Sequence, residues 1–85
     1  MIERIRNRFD QLSKTEQKVA QYVLNHAELV PTMTTKELAN KAAVSEASVI
    51  RFSKAVGVES FKAFKIALAE KLATTKEYLT DFSII

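Results

Sequence analysis

Apolar positions along the 85-residue chain recur at steps of three and four residues in five separate runs, the period of helices with buried stripes. In the first run Ile2, Ile5, Phe9 and Leu12 share one helical face, with Glu3, Arg4, Arg6 and Arg8 around the other sides. Val19, Ala20, Val23, Leu24 and Ala27 form the stripe of the second; Lys14, Gln17, Lys18 and Gln21 turn to water and Tyr22 stands at the edge. Leu38, Ala39 and Ala42 face inward from the third run, and Val49, Phe52, Ser53 and Val56 from the fourth. The fifth is apolar on two sides: Phe61, Phe64, Leu68 and Leu72 on one, Ile66, Ala69 and Ala73 on another. Such a helix is deeply buried or has a partner. The pattern predicts an all-α fold of five helices.

The punctuation between the runs agrees. Ser13 with Glu16, and Thr34 with Glu37, each make the capping-box pattern at a helix start. Ser45 caps the fourth helix. Met33 with Leu38, and Val44 with Val49, are placed to staple the chain entering the third and fourth helices. The second helix is expected to end at or just after Asn25, before a short Ala27–Val30 turn, since Pro31 lacks an amide donor and restricts Val30. Gly57 suits the left-handed residue after the fourth helix. The fifth helix is expected to start near Ser60.

The rest of the chain is organised around Thr34–Gly57. Counting Thr35 as position 1, apolar residues fall at 4, 8, 10, 15 and 18 (Leu38, Ala42, Val44, Val49, Phe52), and position 5 is the small Ala39. Two capped helices, a turn of about three residues and a small residue where they touch make the bihelical pattern of a helix-turn-helix. The expected architecture is a five-helix bundle with a homeodomain-like three-helix core. The turn position usually held by glycine is Ala43; a left-handed alanine there costs on the order of 1 kcal/mol.

Turning 100° per residue separates the buried side of the fourth helix from an outward face of Glu46, Ala47, Ile50, Arg51 and Lys54. In a DNA-reading helix-turn-helix that face enters the major groove of double-stranded DNA. Ser45, Glu46, Ala47, Ile50, Arg51 and Lys54 are the candidate base-contacting residues. Arg51 suits a bidentate contact to guanine, Glu46 a cytosine amino group, and Ala47 and Ile50 a thymine methyl. Glu46 has a second reading, since an acid in the first turn also favours the helix dipole. Ser45 doubles as cap and backbone contact, and Lys54, one turn on, also suits phosphate. Thr34, Thr35 and Lys36, at the start of the third helix, suit phosphate, as does Lys62 and, more weakly, Lys65. Solvated lysines and arginines are the plainer reading of Lys62, Lys65 and Arg4, Arg6 and Arg8, the last three being otherwise auxiliary phosphate contacts. The competing function is a helical protein-interaction or dimerisation module that does not bind DNA.

Composition narrows the classes further. One Gly and one Pro are too few for a turn-rich β fold, and 47% hydrophobic content argues against disorder. A net charge of +3 fits phosphate contact without demanding it. With no cysteine there is neither a disulfide framework nor a thiolate metal site. His26, the sole histidine, fits a cation at a helix C-terminus better than a catalyst or a metal ligand. No nucleophile-elbow serine or phosphate-binding glycine loop is visible, so no enzyme, cofactor or metal is expected. The charged start, Met1-Ile2-Glu3-Arg4-Ile5-Arg6, is unlike a signal peptide, and no apolar run reaches the ~18 residues of a membrane span. A cytoplasmic protein is expected.

Three stretches carry a more specific likeness: L-S-K-T-E-Q-K-V-A-Q-Y-V-L-N (Leu12–Asn25), T-K-E-L-A-N-K-A-A-V-S-E-A-S-V-I-R-F (Thr35–Phe52) and V-G-V-E-S-F-K-A-F-K-I-A-L-A (Val56–Ala69). Together they resemble the N-terminal domain of RpiR-type transcriptional regulators. Ala43 departs from the family's glycine, and His26-Ala27 stands where a proline often follows the asparagine; neither touches the reading face. The resemblance implies a bacterial regulator of sugar or phosphosugar metabolism, acting as a homodimer or larger oligomer. It also implies a phosphosugar effector bound by a sugar-isomerase-like domain absent from this chain. On that reading residues 1–74 are the DNA-binding domain and 75–85 the start of a linker, which accounts for an end as apolar as Phe82, Ile84 and Ile85.

Overall fold

The computed structural model describes the backbone of residues 1–84 and the side chains of residues 1–72. Among the described residues five α-helices follow one another without a strand: α1 Ile2–Arg8, α2 Lys14–Asn25, α3 Thr35–Ala42, α4 Glu46–Ala55 and α5 Phe61–Ile84. Two 3-10 turns, Phe9–Gln11 and Val30–Thr32, connect α1 to α2 and α2 to α3. No helix among the described residues is long and apolar enough to cross a membrane.

The first apolar run outlasts its helix. α1 stops at Arg8, the chain tightens into 3-10 geometry, and Leu12 is already extended. The stripe survives the change of helix type: Ile5 and Leu12 are buried, Ile2 and Phe9 half-buried. The Gln17 side chain secures the junction, its Nε2 donating to the Phe9 carbonyl at 3.0 Å.

Both expected capping boxes close. Ser13 Oγ accepts from the Glu16 amide at 3.3 Å while Glu16 Oε1 accepts from the Ser13 amide at 3.1 Å. At α3 the corresponding pair, Thr34 and Glu37, is made at 3.1 and 3.2 Å. His26 is the residue that ends α2, its ring centroid 4.5 Å from that of Tyr22.

α2, α3 and α4 pack on one another and form the three-helix core. Val19, Ala20, Val23, Leu38, Val49 and Phe52 meet there, nearly or wholly closed to solvent, and Ala39, at 2% exposure, allows close approach of α3 to α4. α5 covers this core by lying against α4 and the Val30–Thr32 turn. Its inner stripe is as expected, with Phe61, Phe64 and Leu68 buried and Leu72 half-buried. Phe64 meets Phe52 edge to face, ring centroids 5.3 Å apart, a geometry that adds to the apolar burial. On the second stripe Ile66 is 51% exposed and Ala69 is also exposed. The backbone of α5 runs on without a break past residue 74. Ala73, the expected boundary near residue 74 and the apolar Phe82, Ile84 and Ile85 lie outside the described side chains.

The turn between α3 and α4 is a Schellman motif. The Val44 amide donates to the Ala39 carbonyl at 2.9 Å and the Ala43 amide to Asn40 at 3.3 Å. Ala43 accordingly sits at φ 60, ψ 45, the left-handed conformation that crowds a β-carbon. Ala43→Gly is therefore expected to raise stability by about 0.5–1 kcal/mol, the relieved strain exceeding glycine's extra freedom in the unfolded chain. Urea unfolding with an unchanged slope measures it; a loss of stability would show that the strain is not there.

Candidate nucleic-acid interface

The unit that presents the outward face of α4 is held at both ends. At its N-terminus Ser45 Oγ accepts the Ser48 amide at 3.2 Å. At its C-terminus a second Schellman motif forms: Gly57, at φ 92, donates to the Lys54 carbonyl at 3.0 Å, and the Val58 amide to Ser53 at 3.1 Å. The two carbonyls this leaves are taken by side chains from α1. Arg8 Nη1 donates to Ala55 O at 3.0 Å, and Arg4 Nη1 to Val56 O at 3.3 Å. With the Val56 amide on Phe52 O at 3.1 Å, every carbonyl from Phe52 to Val56 has a donor. Cations also favour this end of the helix dipole.

The α1 arginines are exposed, as a solvated face requires, but Arg4 and Arg8 also dock α1 onto the end of α4, a role the sequence did not suggest. A β-carbon on Gly57 would lie 3.5 Å from both guanidinium groups, an ordinary contact, so the backbone conformation and not crowding calls for glycine here. Lys65 has a partner within the fold. Its Nζ donates to the Met33 carbonyl at 2.9 Å and lies 5.0 Å from the Phe61 ring centroid, so it ties α5 to the approach of α3.

Ser45, Glu46, Ala47, Ile50, Arg51 and Lys54 are all exposed, while Ser48, Val49, Phe52 and Ser53 on the other side are buried. Ile50, at 42% exposure, is an isoleucine left open to solvent on a helix whose other large apolar side chains, Val49 and Phe52, are fully closed. The face therefore combines one fork of donors, one cation, one acid and apolar surface, the set that distinguishes bases by edge chemistry. Thr34 and Lys36 are exposed at the start of α3 and Thr35 is half-buried. Lys62 is exposed on the first turn of α5, outside the α3–α4 unit.

Ser48 did not stand out in the sequence. It is 2% exposed, its hydroxyl lies 3.1 Å from Ser45 Oγ, and Arg51 Nη2 donates to it at 3.3 Å. The signal was available: residues three apart on a helix are neighbours, and Ser45, Ser48 and Arg51 are spaced in that way.

Among the described residues no group of three or more His, Asp or Glu side chains converges as a metal would need. A concavity of about 300 Å³ lies at the end of α2, lined by Asn25, His26, Ala27, Glu28 and Leu29. None of these belongs to α3 or α4.

A family model described as the helix-turn-helix domain of the rpiR family matches residues 1–75. The chain belongs to that family. It is 38% identical over 74 residues to an uncharacterized HTH-type transcriptional regulator, YfhH, of Escherichia coli, covering 87% of this chain and 26% of the relative. With the HTH-type transcriptional regulator HexR of Pseudomonas aeruginosa the identity is 36% over 81 residues, 95% of this chain and 28% of the other. The chain thus spans about a quarter of the length of these relatives. Among solved structures, the N-terminal domain of ybbH from Bacillus subtilis superposes with a TM-score of 0.77 at 31% identity, covering 80% of this chain and 83% of that one. The Vibrio vulnificus NanR protein complexed with ManNAc-6P gives 0.83 at 30% identity, over 96% of this chain and 31% of NanR. The rpiR-family domain therefore has the five-helix, helix-turn-helix form read from the residues.

Proposed function

We propose that this domain binds double-stranded DNA sequence-specifically for a bacterial transcriptional regulator of sugar or phosphosugar metabolism. The observation that carries the reading is the outward face of α4, with Arg51, Lys54 and the exposed Ile50 presented by a helix capped at both ends. Fold membership alone is a weaker warrant, because one fold hosts many functions. α4 lies in the major groove, where Arg51 takes guanine O6 and N7 and Ile50 and Ala47 meet thymine methyls. Glu46 accepts from cytosine, and Ser45 and Lys54 contact the edges of the same site. Thr34, Thr35, Lys36 and Lys62 hold phosphates and set the docking register without reading sequence.

The protein works in the cytoplasm as a homodimer on two half-sites about one helical turn apart. A sugar phosphate controls it through a domain outside these residues; the NanR relative complexed with ManNAc-6P supports that class of effector. No catalytic step is assigned to the residues of this chain.

Selecting bound duplexes from a random pool tests the reading directly. Enrichment of one motif, repeated with inverted symmetry, is the expected result; an unenriched pool would overturn it. Salt separates DNA binding from a protein-interaction module, because each phosphate neutralised adds about −0.9 to the slope of log affinity against log salt. Lys36→Ala is expected to weaken binding to every duplex alike and to reduce that slope by about 1. Association with duplexes that ignores salt would favour the interaction module, and a changed base preference would move Lys36 off the phosphates.

A further inference from the structure

An exposed arginine reads a base well only if its guanidinium is already aimed, since fixing so many rotatable bonds on binding costs entropy. Here the aiming device is visible. Ser45 is fixed as the cap of α4, its Oγ accepting the Ser48 amide at 3.2 Å and lying 3.1 Å from Ser48 Oγ. Ser48 is almost wholly buried, and its Oγ accepts from Arg51 Nη2 at 3.3 Å. A guanidinium has no acceptor, so the direction of that bond is set.

Nη2 carries two hydrogens, one pointing along the side shared with Nε and one toward the end shared with Nη1. One bond to Ser48 uses one of them. Whichever it is, one complete two-donor edge stays free, and two parallel donors are what guanine O6 and N7 accept. The cap of α4, Ser48 and the guanidinium thus form one chain of contacts running from the helix backbone to the reading atoms.

On the reading of α4 proposed above, we infer that Ser48 is a specificity-determining positioning residue, holding Arg51 with one donor edge presented to a guanine while touching no DNA itself. Its hydroxyl limits the rotamers of Arg51 before DNA arrives. Removing it leaves the charge of Arg51 in place, so attraction to phosphate persists while discrimination falls.

The test uses the 85-residue chain with Ser48→Ala, Ser48→Cys, Arg51→Ala and the double variants. Cysteine keeps the shape at a slightly larger volume and replaces a strong acceptor with a weak one, so a loss shared with alanine is not due to an emptied site. The probes are the duplex enriched from a random pool, its variant altered at the base pair where Arg51→Ala loses preference, and a scrambled duplex; thermal unfolding checks the fold. Either Ser48 variant is expected to lower preference for the enriched duplex by about 3- to 10-fold, the worth of one hydrogen bond. Affinity for the scrambled duplex and its salt slope should not move. On the Arg51→Ala background the Ser48 variants should change nothing further, because the two residues act as one unit.

Full preference retained by a folded Ser48 variant, or an equal loss with and without Arg51, would overturn the positioning role alone. Arg51→Ala with unchanged preference would overturn the base reading on which that role depends.

Discussion

Phe52→Ala is expected to destabilise the domain by about 3–5 kcal/mol, the range for emptying a buried phenylalanine site. Phe52 is fully buried, projects from α4 into the core, and supports the Phe64 ring of α5 edge to face. An 85-residue domain has a stability of roughly 4–13 kcal/mol in all, so the loss is a large share of it. The cavity cannot collapse easily, because Val49 and Val56 of α4 and its cap, and Leu38 of α3, belong to the same core and are themselves fully enclosed. Phe52→Leu, which keeps most of the volume, is expected to cost far less. Urea unfolding followed by circular dichroism measures both, and a loss under about 1 kcal/mol for the alanine variant would show that Phe52 is not the hub of the core.

The second large effect is on recognition. Arg51→Ala is expected to cost about 1–3 kcal/mol of binding to the selected duplex, leaving thermal stability unchanged. Much of that is discrimination, since the fork lost is one that only a correctly placed pair of acceptors can use. Arg51→Lys separates charge from geometry. It keeps attraction to phosphate but has no planar fork, so preference should fall nearly as far as in the alanine variant while affinity for scrambled DNA holds. Binding titrations on selected and scrambled duplexes distinguish these outcomes. Preference equal to that of the unaltered chain would remove Arg51 from the reading face.

Recognition and stability meet on one short helix. α4 offers Phe52 to the core and Arg51 to solvent from adjacent positions, so the phase of the helix decides which side chains face outward. That phase is guarded by the Ser45 cap at one end and by Gly57, Arg4 and Arg8 at the other. Rotation of α4 would break contacts at both ends at once.

The helices and the inward and outward sides of α4 were legible in the linear chain because each follows from neighbours within four residues. Ser13 with Glu16 and Thr34 with Glu37 announce helix starts by short-range hydrogen bonds that any chain with that spacing can make. Periodicity likewise separates Val49, Phe52 and Val56 from Glu46, Ala47 and Lys54 without knowledge of what lies opposite. Even the left-handed state of Ala43 is a local matter, set by the hydrogen bonds that close α3. Ser48 was missed although its contacts are local, because a serine on the buried side of a helix carries no sign in its identity alone.

Other features depended on which elements meet. Arg4 lies 52 residues from its acceptor Val56 and Arg8 lies 47 from Ala55. Lys65 lies 32 from Met33. A charged side chain on a helix surface looks the same in sequence whether it faces water, phosphate or another helix's last carbonyl. The chain by itself determined the helices, their caps and the face that α4 turns outward, since short-range sterics and hydrogen bonding suffice for those. Only the tertiary structure decided that α1 closes the end of α4 and that Lys65 is a tether, because unpaired carbonyls acquire partners only when distant segments are brought together.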